Sequence, residues 1–380
     1  MRNGHLLYFW FSGFLKGVVL MDKLRELTIV GAGNGGKALA GDLANKGWDV
    51  NLFEVPEFIG GLKEIMEKKE ITVSENGVET TGKLKSVTTD IAAAVKGQKL
   101  IVVVMPGFGH KRAAELIAPH VEDGQIYLFM PGGFGSFEFM QELKKKGAWR
   151  DSLILAETAT LPYGTFAIGP TKVMISVRTV CNPLGVYPAS RTDEVFEAVK
   201  GVDPAVEKRE NLLDVAMCNL NPTGHVVPCL MSVSQMEGRE DYCMYRHAFT
   251  PSVKKLILSA DAERVALREK LGLPAPHHNL TPGYEMALPY FGEPTYLAAR
   301  MNNKGPNSVS HRYVTEDAPY GLALYASIAH KVGVDCPITD ALLKLAGALN
   351  DSNYTTSGRT LESLGLADTD LDELMETLNK

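Results

Sequence analysis

Leu27-Thr-Ile-Val-Gly31-Ala-Gly33-Asn34-Gly35-Gly36-Lys-Ala-Leu-Ala is the stretch of sequence that decides the fold, and an apolar run that ends at Glu54 follows it. A β-branched strand, a glycine-rich turn, an alanine-rich helix and a second strand come one after another. This is the order of a dinucleotide-binding βαβ unit. The stretch therefore predicts an α/β domain with a Rossmann-type, doubly wound parallel sheet.

The glycines of this turn have separate predicted roles. Gly31 makes the tight turn, Gly33 lets the backbone approach a pyrophosphate because it has no Cβ, and Gly36 lets the helix pack closely on the strand. The pyrophosphate would rest on the unpaired amides at the start of the helix. Asn34 and Gly35 are therefore further candidate cofactor contacts.

Glu54 ends the second strand, at the distance of about 20 residues where an acid binds the ribose diol of the cofactor. The residues that follow it are Val55, Pro56 and Glu57, with no Arg or Lys for a 2′-phosphate. The prediction is NAD, with NADP as a possibility.

Composition excludes several classes of protein. The chain has 380 residues, 45% hydrophobic and 22% charged, which is typical of globular protein and enough for two domains. A net charge of −6 argues against nucleic acid as a partner. Five cysteines without a Cys-x-x-Cys pair fit a reducing cytoplasm. Small-molecule substrates are the expected partners, and a homodimer is the expected assembly.

Residues 1–20 are unusually apolar and aromatic. Lys16 interrupts the run, and no small-x-small cleavage site follows it, which argues against a signal peptide. The segment is also too short and interrupted to span a membrane. We expect residues 1–21 to be a non-native or disordered extension with Met21 as the natural start. An anchor on a membrane surface is the alternative.

Two more glycine-rich turns follow continuous apolar runs of the kind found in buried parallel strands. Pro106-Gly-Phe-Gly109 follows Lys99–Met105, and Pro131-Gly-Gly133 follows Gln125–Met130. Ligands of open α/β sheets bind at the carboxyl ends of the strands, so these turns predict the nicotinamide side of a cleft. The candidate residues are Pro106, His110, Pro131 and Gly132. An ordinary strand-to-helix turn explains each of them equally well.

The pattern changes from alternating strands and helices to helices alone at about residue 191. With Ser152–Glu157, the first part has at least five predicted parallel strands, and Asn76-Gly77 signals a hairpin. The prediction is a dinucleotide-binding domain over 22–189 and an all-α substrate domain over 190–380. Helices are predicted in the second domain over 193–200, 207–218, 225–238, 252–270, 318–332 and 338–349.

Asn221-Pro222-Thr-Gly-His225 opens a predicted helix of the second domain, with Asn221 as N-cap and Pro222 as first helical residue. A neutral imidazole near a cleft can exchange the proton that reduction of a carbonyl or imine requires. His225 is therefore a catalytic candidate, although a histidine at a helix start often only packs or bonds a carbonyl.

Arg312-Tyr-Val-Thr-Glu316-Asp317 precedes another predicted helix. Asp317 could orient His225, as a carboxylate does in an acid–base dyad, and Arg312 could hold a substrate carboxylate with two hydrogen bonds. The alternative is structural, with Asp317 or Glu316 as a helix cap and Arg312 paired with Glu316.

The chain resembles the opine dehydrogenase family, the octopine/nopaline type that includes N-(1-carboxyethyl)-norvaline dehydrogenase. The resemblance runs from Leu27 to the C-terminus. Besides the glycine turn, the shared motifs are Met105-Pro-x-x-x-His110, Ala118-Pro-His-x-x-x-Gly-Gln125, Pro131-Gly-Gly, Glu157-Thr-x-Thr-Leu-Pro-Tyr163, Asn221-Pro-x-x-His225 and Arg312-Tyr-x-x-Glu-Asp317.

This resemblance implies NAD(P)H-dependent, reversible condensation of the amine of an amino acid with a 2-oxo acid. It implies that His225 is the acid/base, that Asp317 is its partner and that Arg312 lies in the substrate site. Asn221 and Tyr163, within the shared motifs, are further candidate substrate-binding residues. One departure is Phe166, which aligns with an Arg of several members and leaves the amine-bearing substrate open.

Two alternative functions are also compatible with this two-domain organisation. The first is a 2-keto or 2-hydroxy acid oxidoreductase of the glycerol-3-phosphate dehydrogenase or ketopantoate reductase type, although these families usually use a lysine where His225 stands. The second is a non-catalytic nucleotide sensor, against which the intact His225, Asp317 and Arg312 argue. No metal is predicted, because His277-His278 has no further ligand at a suitable spacing. The residues Met231, Met236, Tyr242 and Tyr245 fit a core better than a substrate pocket.

Overall fold

The computed structural model describes residues 24–280, 290 and 305–380, so the N-terminal segment 1–21 lies outside the described residues. Its strands belong to two sheets. They are β1 (Glu26–Val30), β2 (Asp49–Phe53), β3 (Glu70–Glu75), β4 (Val78–Lys83), β5 (Ser86–Thr88), β6 (Leu100–Val103), β7 (Ile126–Phe129), β8 (Ile154–Thr158), β9 (Tyr163–Gly169), β10 (Lys172–Arg178), β11 (Asn182–Tyr187) and β12 (Val206–Lys208).

The helices cover both faces of the larger sheet and then form the C-terminal half of the chain. They are α1 (Asn34–Asn45), α2 (Lys63–Lys68), α3 (Ile91–Val95), α4 (His110–Ile117), α5 (Gly135–Lys145), α6 (Thr192–Val202), α7 (Leu212–Ala216), α8 (Asn221–Met231), α9 (Val233–Gly238), α10 (Met244–His247), α11 (Pro251–Lys270), α12 (Arg312–Thr315), α13 (Ala323–Val332), α14 (Pro337–Leu349), α15 (Tyr354–Ser357) and α16 (Leu371–Leu378).

The larger sheet has the order β12-β11-β8-β7-β6-β1-β2-β5. Its strands from β8 to β5 are parallel, and β11 is antiparallel to β8. The order runs outward from β1 in both directions, which is the doubly wound arrangement that the glycine turn predicts. The carboxyl ends of β1, β6 and β7 lie side by side, so the three glycine-rich turns meet at one edge.

Each face of this sheet contributes to a different hydrophobic core because alternate side chains point to opposite faces. Leu27 and Ile29 belong to the core that α1 and α6 share. Val30 and Phe129 belong to a second core, which continues into the helices of the C-terminal half. The helical half is therefore packed directly on the sheet.

A second, smaller sheet with the order β4-β3-β10-β9 packs on α1. The predicted hairpin is confirmed: β3 and β4 are antiparallel, and Asn76 and Gly77 have φ of 50° and 79°. Strands β9 and β10 are not predicted from the sequence, and their outward side chains include exposed apolar residues such as Ile168. Because apolar side chains also point outward, apolar and polar residues do not alternate clearly along these two strands.

The predicted change of domain at residue 189 lies too early in the chain. Helix α6 packs on the larger sheet through Val195 and Val199, and β12 pairs with β11. The sheet layer therefore ends near residue 208. Part of the helix predicted over 207–218 is instead this edge strand.

The start of α8 also differs from the prediction. Leu220, not Asn221, is the N-cap, and its side chain makes no capping bond. The amide of Asn221 is bound by the side chain of Asn219, 3.0 Å away. Among the helices of the described residues, none is both long and apolar enough to cross a membrane.

Candidate functional site

The turn between β1 and α1 requires glycine at its first and last positions for the protein's own packing. Gly31 has φ of +105°, and a Cβ there would overlap with the carbonyl oxygen of Val104. A Cβ on Gly36 would overlap with the carbonyl oxygen of Gly31. These two positions have the roles that the sequence predicts.

Gly33 differs because a Cβ there would have no neighbour within 4 Å. Gly33 and Asn34 are exposed, Gly33 is the N-cap of α1, and the first turn of this helix holds no acidic residue. The amides at this helix start therefore face an open cradle. Such a cradle fits the pyrophosphate of a dinucleotide. Gly35 instead approaches the side chain of Leu161, where a Cβ would lie 2.9 Å from Cδ1.

Glu54 lies directly after β2, and its side chain braces the glycine turn. Its Oε2 accepts a hydrogen bond from the amide of Ala32 at 2.8 Å, and Oε1 accepts one from Val55 at 2.9 Å. A carboxylate oxygen has capacity for more than one donor, so these bonds leave room for a ribose diol. The position fits the predicted role of Glu54.

The turn after β7 is built around Glu157, which sequence reasoning quoted only as part of a motif. Its carboxylate accepts hydrogen bonds from the amides of Phe134 at 2.8 Å and Ser136 at 2.6 Å. Burial raises the pKa of Glu157, against the effect of these bonds. A Cβ on Gly132 would overlap with this carboxyl, so Gly132 is explained by internal packing, while it and Pro131 line the cleft.

Both ring nitrogens of His110 have partners within the protein. Arg359 donates to its Nδ1 at 3.2 Å, so the proton is on Nε2, which lies 3.2 Å from the carbonyl oxygen of Met105. Burial, with Arg359 beside it, lowers the pKa of His110 to about 3. His110 is therefore a neutral side chain that supports the turn beginning at Pro106, and it also lines the cleft.

Arg359 is a site residue that sequence reasoning missed. Its buried guanidinium donates to the carbonyl oxygens of Gly107 at 3.1 Å and Gly133 at 2.9 Å, and it pairs with Glu138 at 2.6 Å. It thus joins two glycine-rich turns of the sheet domain to the C-terminal region. These contacts span more than 200 residues of sequence, and no local motif announces them.

Gly107 is bound on both sides by the helical half. Its carbonyl oxygen accepts from Arg359, and its amide donates to Oε1 of Glu316 at 3.1 Å. A Cβ on Gly107 would lie 2.8 Å from Cβ of Tyr320. The turn after β6 is therefore a joint between the two halves of the molecule.

His225 lies in α8, and the structure places Asp317 against it. Nδ1 of His225 is 2.9 Å from Oδ2 of Asp317, and both side chains are largely buried. Asp317 precedes the π-helical turn Ala318–Leu322 without capping it. The carboxylate of Asp317 therefore binds His225 and does not cap the helical turn.

Tyr313 covers one face of the imidazole. The two rings are stacked, with centroids 3.8 Å apart and planes 14° apart. His311 meets the same phenol ring edge-on at 4.6 Å and accepts a hydrogen bond from the amide of Tyr313 at 3.2 Å. Burial and the neighbouring His225 and Arg312 lower the pKa of His311 to about 4. His311 is thus neutral at physiological pH.

Arg312 lines the cleft and is half exposed, with Nε 2.9 Å from Oε2 of Glu316. The ion pair of Arg312 with Glu316 that the sequence allows is thus present, and the guanidinium still borders the open cleft. Asn221 also lines the cleft. The other lining residues include Gly107, Pro131, Gly132, Gly133, Asn219, Glu316, Asp317, Tyr320 and Arg359.

Tyr163, predicted to bind substrate, is not among the residues that line the cleft beside His225. Its hydroxyl donates to Oδ2 of Asp42 at 2.6 Å, and the guanidinium of Arg178 lies 5.0 Å from its ring centre. The ring is buried between α1 and the smaller sheet. Phe166 lies in that same sheet, opposite Met174.

The remaining sequence candidates belong mainly to the core. Met236, Tyr242 and Tyr245 are buried, as the core interpretation predicts, whereas Met231 is exposed. His277 accepts a hydrogen bond from Arg268, with Nε 3.3 Å from Nδ1.

Comparison with known proteins finds similarity to opine dehydrogenases along most of the chain. Residues 208–350 match the family described as NAD/NADP octopine/nopaline dehydrogenase, alpha-helical domain, and residues 26–151 match the NAD-dependent glycerol-3-phosphate dehydrogenase N-terminus. An opine dehydrogenase of Arthrobacter sp. (strain 1C) is 29% identical over 91% of this chain and 97% of its own. The chain is thus similar to opine dehydrogenases over nearly its full length, and its helical half matches the octopine/nopaline dehydrogenase family.

The similarity extends to octopine dehydrogenases, in sequence and in fold. The octopine dehydrogenase of Pecten maximus is 20% identical over 88% of this chain and 92% of its own. A structure of an octopine dehydrogenase with NADH and agmatine superposes with a TM-score of 0.69 at 18% identity, covering 93% of this chain and 98% of that one.

Proposed function

We propose that this protein is an NAD(P)-dependent opine dehydrogenase. It condenses the amine of an amino acid with a 2-oxo acid and reduces the product to a secondary amine, and the reaction is reversible. The observation that carries the proposal is the His225–Asp317 pair at 2.9 Å, beside a cleft that Arg312 and the glycine-rich turns line. Relatives described as opine and octopine dehydrogenases support this chemistry.

His225 acts as the acid and base. The carboxylate of Asp317 accepts a hydrogen bond from Nδ1–H, so it fixes the ring in one tautomer and favours the charged form. Nε2 is then the nitrogen that exchanges protons with substrate. It removes a proton from the ammonium group of the amino acid, and the resulting neutral amine attacks the oxo acid. The protonated imidazole then returns this proton to the oxygen that leaves as water.

The exposed amides at Gly33 and Asn34 and the carboxylate of Glu54 hold the dinucleotide. A bound reduced nicotinamide supplies the hydride that reduces the imine carbon. The backbone of the turns that contain Gly107 and Pro131 borders the same cleft. Glu54, with no basic residue directly after it, favours NADH over NADPH.

Arg312 binds a substrate carboxylate. Its guanidinium is half exposed at the cleft, and its ion pair with Glu316 holds it there. A 2-oxo acid can add a bidentate contact to such a group. Tyr320 and Asn221 complete this side of the cleft.

The decisive experiment identifies the product. Purified protein should oxidise NADH with pyruvate or glyoxylate only when an amino acid is added, and mass spectrometry should find a secondary amine that joins the two. His225→Asn should lower turnover by a factor on the order of 10²–10⁴ and still bind NADH. Amine-independent reduction of the oxo acid to a hydroxy acid would instead support the hydroxy acid oxidoreductase alternative.

No turnover across a broad panel of amines and oxo acids, with NADH binding intact, would contradict the enzymatic proposal and favour a sensor. A homodimer and a cytoplasmic location accompany the proposal. Light scattering and cell fractionation would check these two predictions.

A further inference from the structure

Three side chains with metal-binding atoms meet where α13 ends and α14 begins. His330 lies in the last turn of α13, Cys336 immediately precedes α14, and Asp340 lies in the first turn of α14. One ligand atom from each residue lies within 4.8 Å of the others. Gly333, with φ of 70°, ends α13 and reverses the chain so that the two helix ends face each other.

We propose that His330, Cys336 and Asp340 form a binding site for a zinc-class divalent metal ion. Imidazole nitrogen, thiolate sulfur and carboxylate oxygen are the three atoms that Zn²⁺ prefers. Tetrahedral coordination places ligand atoms roughly 3.5 Å apart, so small side-chain rotations complete the site from the present separations.

The burial of the three residues fits one metal ion at the surface. Cys336 is buried, whereas the side chains of His330 and Asp340 are 58% and 32% exposed. A metal ion is then enclosed on the thiol side and open on the histidine side, where a water molecule can take the fourth position.

The charges around the thiol favour a cation. The carboxylates of Asp340, Glu263 and Asp335 all lie near Cys336. When a divalent ion binds, the thiol releases its proton to solvent, and the sulfur coordinates the metal. Lys331 lies in the same groove, but its ammonium is bound to the carbonyl oxygen of Ala367.

The site is separate from the catalytic cleft. The groove that holds His330 and Asp340 is lined by residues of α13, α14 and the segment 355–367, and it shares none of the residues that line the cleft. Thr360 and Leu361 of this groove directly follow Arg359 in sequence. A metal here would stabilise the C-terminal region and take no part in the hydride transfer.

The test is titration of the full-length, chelator-treated protein with Zn²⁺ and Co²⁺. We expect one ion per chain by calorimetry, a rise in melting temperature, and a thiolate-to-Co²⁺ charge-transfer band. Cys336→Ser should abolish the band, and His330→Gln should weaken binding by at least about 100-fold, because losing a residue that only supports a ligand already costs about 10–100-fold. His330 is exposed, so its variant should fold normally.

Cys181→Ser and His120→Ala are matched controls elsewhere on the chain and should bind like wild type. Failure to bind one ion per chain, or binding that survives in both Cys336→Ser and His330→Gln, would overturn the proposal. In that case His330 and Asp340, 3.0 Å apart, form only an ion pair beside a buried thiol.

Discussion

His225 is held on an edge and on a face by two different kinds of interaction. The carboxylate of Asp317 binds Nδ1 at 2.9 Å, and the ring of Tyr313 lies against the imidazole plane at 3.8 Å. The first contact fixes the tautomer, and the second fixes the tilt of the ring. An aromatic face also stabilises a charged imidazolium, by about 0.5–2 kcal/mol. Tyr313 is therefore a positioning residue for the proposed acid and base.

Replacing Tyr313 tests this role. Tyr313→Ala should lower kcat about tenfold, because the imidazole loses its fixed orientation. The pH at which activity is half-maximal on the acidic side should fall by about 0.5, because the charged imidazole loses a stabilising face. Measuring kcat against pH for the wild type and the variant checks both expectations.

Tyr313→Phe keeps the stacked face and should restore both kcat and the pH profile. Burial, with His225 and Arg312 nearby, lowers the pKa of His311 to about 4. His311 therefore does not titrate in the same range. A Phe variant as impaired as the Ala variant would show that the hydroxyl, and not the face, matters. An unchanged pH profile in Tyr313→Ala would show a merely structural role.

The start of α1 illustrates how one short element separates folding from binding. Gly36 faces the backbone of Gly31, so its glycine is needed for helix and strand to approach. Gly33, two residues after Gly31, faces open space and has φ of −66°, which any residue adopts. Only a bound group can require glycine at Gly33.

Alanine at each position separates these two requirements. Gly36→Ala should lower the free energy of unfolding by about 1–3 kcal/mol, because the new Cβ forces a backbone shift. Gly33→Ala should leave it within about 0.5 kcal/mol but weaken NADH binding at least about tenfold, because the Cβ occupies the phosphate cradle. Urea unfolding and NADH titration measure the two effects. Normal NADH affinity in Gly33→Ala would contradict the assigned cradle.

Sequence predicts an element best when its pattern is local. The β1–α1–β2 unit and the Asn221-Pro-x-x-His225 helix carry their signals within a few consecutive turns, and both form. Tyr163 shows the limit, since its partner Asp42 lies 121 residues away and in a different element. A buried Tyr looks the same in sequence whether it lines a cleft or ties a sheet to a helix.

Asp42 of α1 binds Arg178 and Tyr163 of the smaller sheet, and Lys46. The contribution of this Asp42 cluster to stability depends on pH. Burial alone raises the pKa of Asp42, but hydrogen bonds from Arg178, Lys46 and Tyr163 outweigh burial and lower it to about 2. A lowered pKa contributes stability above the ordinary value of 3.8, and this stability is lost as the pH falls toward 2.

Asp42→Asn should therefore destabilise the protein by about 1–2 kcal/mol at pH 7, and the difference should shrink below pH 3.8. Urea unfolding of both proteins between pH 7 and pH 3 measures it. The exposed Asp368→Asn is the control and should change little at any pH. A difference that stays constant down to pH 3 would mean that packing, and not charge, is lost.

At the scale of the whole molecule, the two halves are joined at the very turns that border the cleft. A single hydrophobic core continues from the sheet into the helices, and Glu316 and Arg359 bind both backbone groups of Gly107. The geometry of the cleft therefore depends on contacts between residues more than 200 positions apart. A sequence pattern names the turns but does not show which charged side chain, among many, holds them.

Arg359 should thus affect stability and catalysis together. Arg359→Lys keeps the charge but loses the planar set of donors, so carbonyl oxygens of Gly107 and Gly133 and Nδ1 of His110 lose bonds. We expect the free energy of unfolding to fall by about 2–4 kcal/mol. We also expect kcat/KM to fall by a factor on the order of 10–100, because displaced turns misplace the cofactor relative to His225.

Arg150→Lys, at an exposed ion pair with Asp123, is the matched control and should change neither quantity. Urea unfolding measures the free energy of unfolding, and steady-state kinetics at a temperature where both variants are folded measure kcat/KM. A loss of stability with wild-type kcat/KM would show that Arg359 holds the two halves together without shaping the cleft.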